Sequence, residues 1–187
     1  MTVGSRSVLY GVHCWFIHPW FVLLAWYKLY GFPWDPRLWV CAALHDLGYL
    51  GCHDLDGPEG KQHPRLGAKI VGALFGEKWK HLCLYHSRSM ANYDGQPYSK
   101  LCPADKLAVA LTPTWLYLFC GALSKELPEF MKVTYTAFEQ GDLNVTASWA
   151  NAARVGDHER WLAGLKAYLK AWAFSNAYPK ENVWTAS

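Results

Sequence analysis

Apolar residues along this chain recur at intervals of three and four rather than two, so the elements they predict are helices. From Val8 to about Tyr30 the chain reads as one or two helices disturbed near Pro19, with Trp15, His18, Val22 and Ala25 on one inward face. Gly31 to Pro36 is a turn, in which Asp35 is placed to cap the next helix and Pro36 to open it. That helix runs to about His45, with Leu38, Cys41 and His45 on one face and Gly48 placed to end it. Gly48 to Gln62, rich in glycine and acids, reads as a loop. Helices follow from His63 to Phe75, with Leu66, Ile70 and Leu74 inward, and from Glu77 to His86, with Trp79, Leu82, Cys83 and His86 on one stripe. Met90 to Leu101 reads as a second loop. Pro103 starts a helix with Asp105 in its first turn, and Thr112-Pro113 restarts it as far as about Leu123. A further helix begins at Ser124 or Leu127 and ends near Gly141. The last, from about Val145 to Tyr178, carries Trp161, Leu165, Tyr168 and Trp172 as its stripe, and Pro179 to Ser187 is expected to be loose. No segment alternates as a strand would, so the expected fold class is all-α.

Composition narrows this further. The 187 residues suit one domain with a sizeable core, and no linker, repeat or low-complexity segment divides them. Hydrophobic content of 52% against 18% charged excludes disorder and leaves room for self-association into a homo-oligomer. Trp15, Trp20, Trp26, Trp34 and Trp39 are expected in the core or at a subunit interface, with a base-stacking pocket as the alternative. The apolar stretches Val8 to Phe32 and Leu107 to Leu123 approach the ~20 residues of a membrane span. His18-Pro19 and Pro113 interrupt them, so buried core helices are expected instead. The net charge of +3 is too small for a nucleic-acid coat, and no stable nucleic-acid complex is expected. Six cysteines without a C-x-x-C pair exclude a zinc ribbon or a thioredoxin motif; they read as buried reduced thiols of a cytoplasmic protein.

The chemistry gathers around His45-Asp46, an imidazole and a carboxylate side by side at a helix end. Neighbours on a helix point about 100° apart, so both reach one ion only where the helix ends or bends. Other candidates stand in the order His18, His45-Asp46, His63, His86, Asp105. Arg88 is the best phosphate clamp, because a guanidinium matches phosphate oxygens bidentately. Lys106, Lys61 and Arg65 are weaker partners for outer phosphates. In the acidic loop His53, Asp54, Asp56 and Glu59 are candidate substrate-facing groups. His13 has no partner motif and reads as structural.

This H…HD…H…H…D order, running from about Val8 to Leu123, resembles the HD superfamily of metal-dependent phosphohydrolases. The His63-to-Asp105 stretch is most similar to bacterial HD enzymes that cleave diadenosine tetraphosphate, with a looser likeness to cyclic-dinucleotide phosphodiesterases. The resemblance implies a single HD domain over residues 1–187, a helical bundle with the metal site at its centre. Its metal-binding core would cover about 8–123, and covering helices about 124–178. It also implies His18, His45, Asp46 and Asp105 as one ligand set, His63 and His86 as the additions of two-metal members, and His45 and Asp46 as catalytic residues. One or two divalent transition metals, among Mn, Zn, Fe, Co and Ni, would serve as cofactor. The implied activity is hydrolysis of a nucleotide's phosphate ester or anhydride by a hydroxide generated at the metal. A deoxynucleotide triphosphohydrolase or nucleotidase is the alternative within the superfamily. A non-catalytic nucleotide-sensing module and a di-iron HD oxygenase are the alternatives outside hydrolysis.

Overall fold

The structure, a computed structural model, describes residues 1–178. Those residues form eleven α-helices and no strand, one all-α bundle. The tail expected to be loose, Pro179 to Ser187, lies outside the described residues.

Helix α1 (Val3–Tyr10) starts where the Thr2 hydroxyl accepts from the Ser5 amide. Irregular turns then lead to α2 (His18–Tyr30). The expected disturbance therefore falls before Pro19, which sits in the first turn of α2, where a missing N–H costs nothing. His18, Val22, Ala25 and Leu29 form the buried face of α2, whereas Trp15 lies in the turns and is exposed. The Asp35 carboxylate accepts from the Arg37 amide and opens α3 (Pro36–Leu44). After short 3-10 turns at Leu47–Tyr49 and Gly60–Gln62 come α4 (Pro64–Phe75) and α5 (Glu77–Leu84).

Two expectations fail on this half of the chain. The buried face of α4 is Pro64, Gly67, Ala68 and Val71, whereas Leu66 and Leu74 are exposed. Small residues let α4 lie close against α3 and α5, and that close approach outweighs burying the two leucines. The second is the expected loop from Met90, part of which is helix α6 (Arg88–Tyr93), capped by the Ser87 hydroxyl accepting from the Met90 amide.

Helix α7 (Leu101–Leu111) begins two residues before Pro103, so Asp105 sits beyond the first turn. Thr112-Pro113 turns the chain by 99° into α8 (Thr114–Ser124). Helix α9 (Leu127–Glu139) follows. The single long C-terminal helix is in fact two, α10 (Ala147–Val155) and α11 (His158–Ser175). Gly156 adopts φ 78°, a left-handed conformation that costs glycine little, and the Asp157 carboxylate caps the restart by accepting from the Arg160 amide.

Two hydrophobic clusters organise the packing. One joins α2, α3, α4, α5 and α7 through residues such as Val22, Cys41, Val71, Leu101 and Leu107. The other joins α8 to α11 around the fully buried Trp161 and Leu162. Helix α7 touches both α2 and α11, so the seam between the two clusters runs along it. Of the five tryptophans expected in the core or an interface, Trp15, Trp20, Trp34 and Trp39 are exposed in this chain and only Trp26 packs against the core. All six cysteines are free, and five are buried. No single helix among the described residues is long and apolar enough to cross a membrane, although the bent α7–α8 pair passes that test by length and composition.

Candidate metal centre

Five separate elements deliver six buried side chains to one spot. His18 is the first residue of α2. His45 and Asp46 follow the last turn of α3. His63 immediately precedes α4, His86 lies between α5 and α6, and Asp105 projects from α7. Termination of α3 lets both members of the His45-Asp46 pair face the same point. Gly48 contributes by close approach rather than by a left-handed cap, because a β-carbon there would collide with the backbone carbonyl of His63.

Asp46 is the junction. Its Oδ2 lies 3.1 Å from His45 Nε2 and 3.5 Å from His18 Nε2. Its Oδ1 lies 3.3 Å from the Nε2 atoms of both His63 and His86. Asp105 Oδ1 lies 3.0 Å from His18 Nε2 and 3.6 Å from His45 Nε2. The six therefore fall into two sets that share Asp46: His18, His45, Asp46 and Asp105, and Asp46, His63 and His86. Within each set one ligand atom per residue lies within 4.8 Å of all the others.

The hydrogen bonds around the rings test whether a cation fits. Nδ1 of His45 faces the Ala42 carbonyl at 2.8 Å, that of His63 the Gly60 carbonyl at 2.6 Å, and that of His86 the Cys83 carbonyl at 2.6 Å. Each carbonyl belongs to the residue three positions earlier and can only accept, so each Nδ1 carries the proton. The inward Nε2 of a neutral ring then presents a lone pair. His63 and His86 Nε2 approach to 3.0 Å, and two lone pairs cannot satisfy one another. His45 Nε2 and Asp46 Oδ2 are buried without a hydrogen-bond partner. Converging lone pairs and carboxylate oxygens, with ring tautomers locked from behind, are what a divalent cation requires. The donor set of imidazole and carboxylate suits Zn, Mn, Fe, Co or Ni.

Protonation follows the same logic. Burial opposes the charged forms of Asp46 and Asp105. It is outweighed by His45 beside Asp46 and by Lys106 beside Asp105, which hold both carboxyls well below the usual range. Burial lowers His18, and it lowers His63 to about 4, keeping both neutral. His45 is the exception: despite burial, Asp46 and Asp105 raise it to about 10. In the absence of a cation, a proton on His45 offsets one of the two carboxylate charges.

The other sequence candidates divide sharply. Lys106 Nζ lies 2.9 Å from Asp105 Oδ2, and Arg88 donates to the Tyr168 hydroxyl at 3.2 Å while stacking 4.9 Å over Trp172. Both line a cavity of about 290 Å³ that also touches His18, His13, Tyr49 and Asp56. Glu59 does not line it; its carboxylate is exposed and bonded to the His53 amide and ring. Asp54 accepts from the Gly60 amide, tying the loop. Lys61 and Arg65 line two other surface hollows, away from the cluster.

Sequence reasoning missed three supports. The Tyr49 ring stacks on His63 at 3.9 Å and fixes its plane. His13 sits 5.8 Å from the His18 ring and contacts Tyr49 at 4.8 Å. The Ser7 hydroxyl lies 2.7 Å from His13 Nδ1 and 2.6 Å from Glu126 Oε2, and Glu126 Oε1 accepts from Ser124 and the Val12 amide. Burial opposes a charge on His13, but the Glu126 carboxylate 3.8 Å away, with Asp46 beyond it, raises its pKa. No short-range pattern links Glu126 to His13 across 113 positions of chain, so only the fold reveals the pair.

The fold and this site define an all-α protein with a buried His–Asp cluster able to hold a metal ion. Compared with protein-family models, curated proteins and solved structures, the chain matches none.

Proposed function

We propose that the protein is a metal-dependent phosphohydrolase that cleaves a phosphate ester or anhydride, as its resemblance to the HD superfamily implies. The observation that carries this reading is Asp46, shared by two ligand sets, with two cations on the lining of the adjoining cavity. His18, His45, Asp46 and Asp105 would hold one ion, and His63 and His86, with Asp46, a second. A bound divalent metal supplies Lewis acidity toward a phosphoryl oxygen and lowers the pKa of bound water from 15.7 toward about 7.

The chain's own residues supply the rest. Arg88 and Lys106 bring positive charge to the cavity and would hold the phosphoryl oxygens as charge builds on them. Stacking on Trp172 and the bond to Tyr168 preorganise Arg88, so little side-chain freedom is lost when substrate binds. Asp105 holds Lys106 charged and close. Tyr49 and the three backbone carbonyls behind the imidazoles keep the ligand rings from turning. Nucleotides are the substrate class the resemblance favours.

The test is phosphate or nucleotide release in the presence of Mn(II), with Asp46→Ala as control. The panel holds diadenosine tetraphosphate, cyclic dinucleotides, deoxynucleoside triphosphates, nucleoside monophosphates and simple alkyl phosphates. Turnover that disappears in the variant is expected. Tightly bound metal with no turnover on any member would refute the hydrolase reading in favour of a sensing module or a di-iron oxygenase.

A further inference from the structure

The cavity beside the metal centre has two chemically different ends. One end carries His18, Lys106 and Arg88. The other runs into the second hydrophobic cluster and is walled by Val109, Trp149, Trp161, Leu165 and Leu169. Arg88 joins the two, since it shares the lining with Lys106 and bonds to Tyr168 on the far wall. The acids on the lining, Asp56 and Asp142, are exposed residues, and the polar groups of the deep end are hydroxyls: Thr134, which already accepts from the Trp161 indole, Tyr117 and Tyr168. A buried donor is left over there: Trp149 is 7% exposed and its Nε1 has no partner. At about 290 Å³ the cavity is at the small end of ligand pockets, which run from about 300 to 1,000 Å³. It encloses one modest organic group, not two nucleosides.

From this we infer that the substrate is a phosphate ester of an uncharged, largely apolar group, with the phosphate at Arg88 and Lys106 and that group in the recess between α7, α9, α10 and α11. The inference rests on the phosphohydrolase reading for the bond cleaved and narrows its substrate from nucleotides in general to amphiphilic monophosphates. The Trp149 indole N–H is then available to an oxygen on the apolar group.

The experiment measures binding and turnover separately. Non-hydrolysable n-alkylphosphonates from methyl to octyl are titrated calorimetrically into the full-length chain with Mn(II), and the matching alkyl phosphates are assayed for phosphate release. Each methylene buried in the recess is expected to tighten binding about fourfold, up to the length that fills it. Val109→Phe, one turn beyond Asp105 and Lys106 on α7, is expected to shorten that length, weakening octylphosphonate binding far more than methylphosphonate binding; Ala137→Leu on α9 repeats the test should the first variant fold poorly. Affinity that is flat with chain length, or nucleoside monophosphates binding more tightly than hexylphosphonate, would overturn the inference. Chain-length-dependent binding without turnover of any alkyl phosphate would uphold the recess and overturn the hydrolase reading, so the two failures are distinguishable.

Discussion

Replacing Asp46 by alanine should affect both halves of the metal centre at once, because no other described residue belongs to both ligand sets. The first set would retain His18, His45 and Asp105, and the second only His63 and His86. Two imidazoles alone are too few for a protein-held divalent ion of this kind, so the second site should be lost outright. The first should weaken, since it loses one of two carboxylates and keeps a cavity in its place. The consequence for stability can be worked through linkage. Metal at 100 times its Kd stabilises the native state by about 2.7 kcal/mol. For a chain of this length each kcal/mol moves Tm by roughly 2–4 °C, so saturating metal should raise Tm by roughly 5–11 °C for each ion held.

The assay is metal content after dialysis, read beside a thermal melt with and without added Mn(II) or Zn(II). The parent chain should carry one to two ions and show the full shift. Asp46→Ala should carry fewer than one ion and shift by less than a third of that. Equal metal content and an equal shift in the variant would refute the reasoning, because the carboxylate at the centre of the cluster would then be a packing group only.

Three further outcomes follow from the same geometry. His86→Ala removes a member of the second set alone, so metal content should fall by one ion while the His18 set keeps its own; an unchanged count by elemental analysis would make His86 structural. The metal-free chain should lose stability as pH rises from 6.5 toward about 10. His45 is raised in the folded state, so its contribution is complete below the unfolded value and fades at on the order of 1.4 kcal/mol per pH unit until the folded value is passed. Denaturant melts across that range should show the slope, and metal, which displaces the proton, should flatten it; equal slopes with and without metal would contradict the assignment. Glu126→Ala leaves the Ser7 and Ser124 hydroxyls, the Val12 amide and His13 without their buried acceptor, and should cost about 3–5 kcal/mol by urea melt. Burial opposes ionisation of Glu126, but neighbouring His13 and the two hydrogen-bonded serines lower its pKa, so its contribution is full above the ordinary carboxyl value and lost on acidification through the lowered one. A cost below 1 kcal/mol would mean that water replaces the carboxylate.

The helical class and most helix ends were legible because local chemistry decides them. Pro36 after Asp35 and Gly76 after Phe75 mark the helix boundaries that the structure contains. The face of α4 was misread because hydrophobicity was taken to point inward. There, the approach of neighbouring helices selects Gly67 and Ala68 for the interface and leaves Leu66 and Leu74 to solvent. The C-terminal break was missed because the apolar stripe of α11 seems to continue α10 through Gly156, and only the left-handed backbone there shows the chain changing direction.

At the site, the six potential ligands were legible from residue type and order, but which of the candidate cations reach the adjoining cavity was only partly so. A metal ligand is constrained twice, by what it is and by a partner close in space, and few residue types qualify. A cation in sequence carries no such constraint. Arg88 stood out as the best phosphate clamp over Lys61 and Arg65, and of the three only Arg88 reaches the cavity, because α6 begins at it and Tyr168 and Trp172 of α11 receive it. The C-terminal helices, which showed no chemistry as sequence, therefore line the same cavity as His18 and Lys106. They provide the apolar wall against which Arg88 is held, and the turn at Gly156 lets Trp149 of α10 pack against Gly164 and Tyr168 of α11. The metal-binding half and the covering half are thus one device: the first would set which bond is cut and the second which molecule brings it.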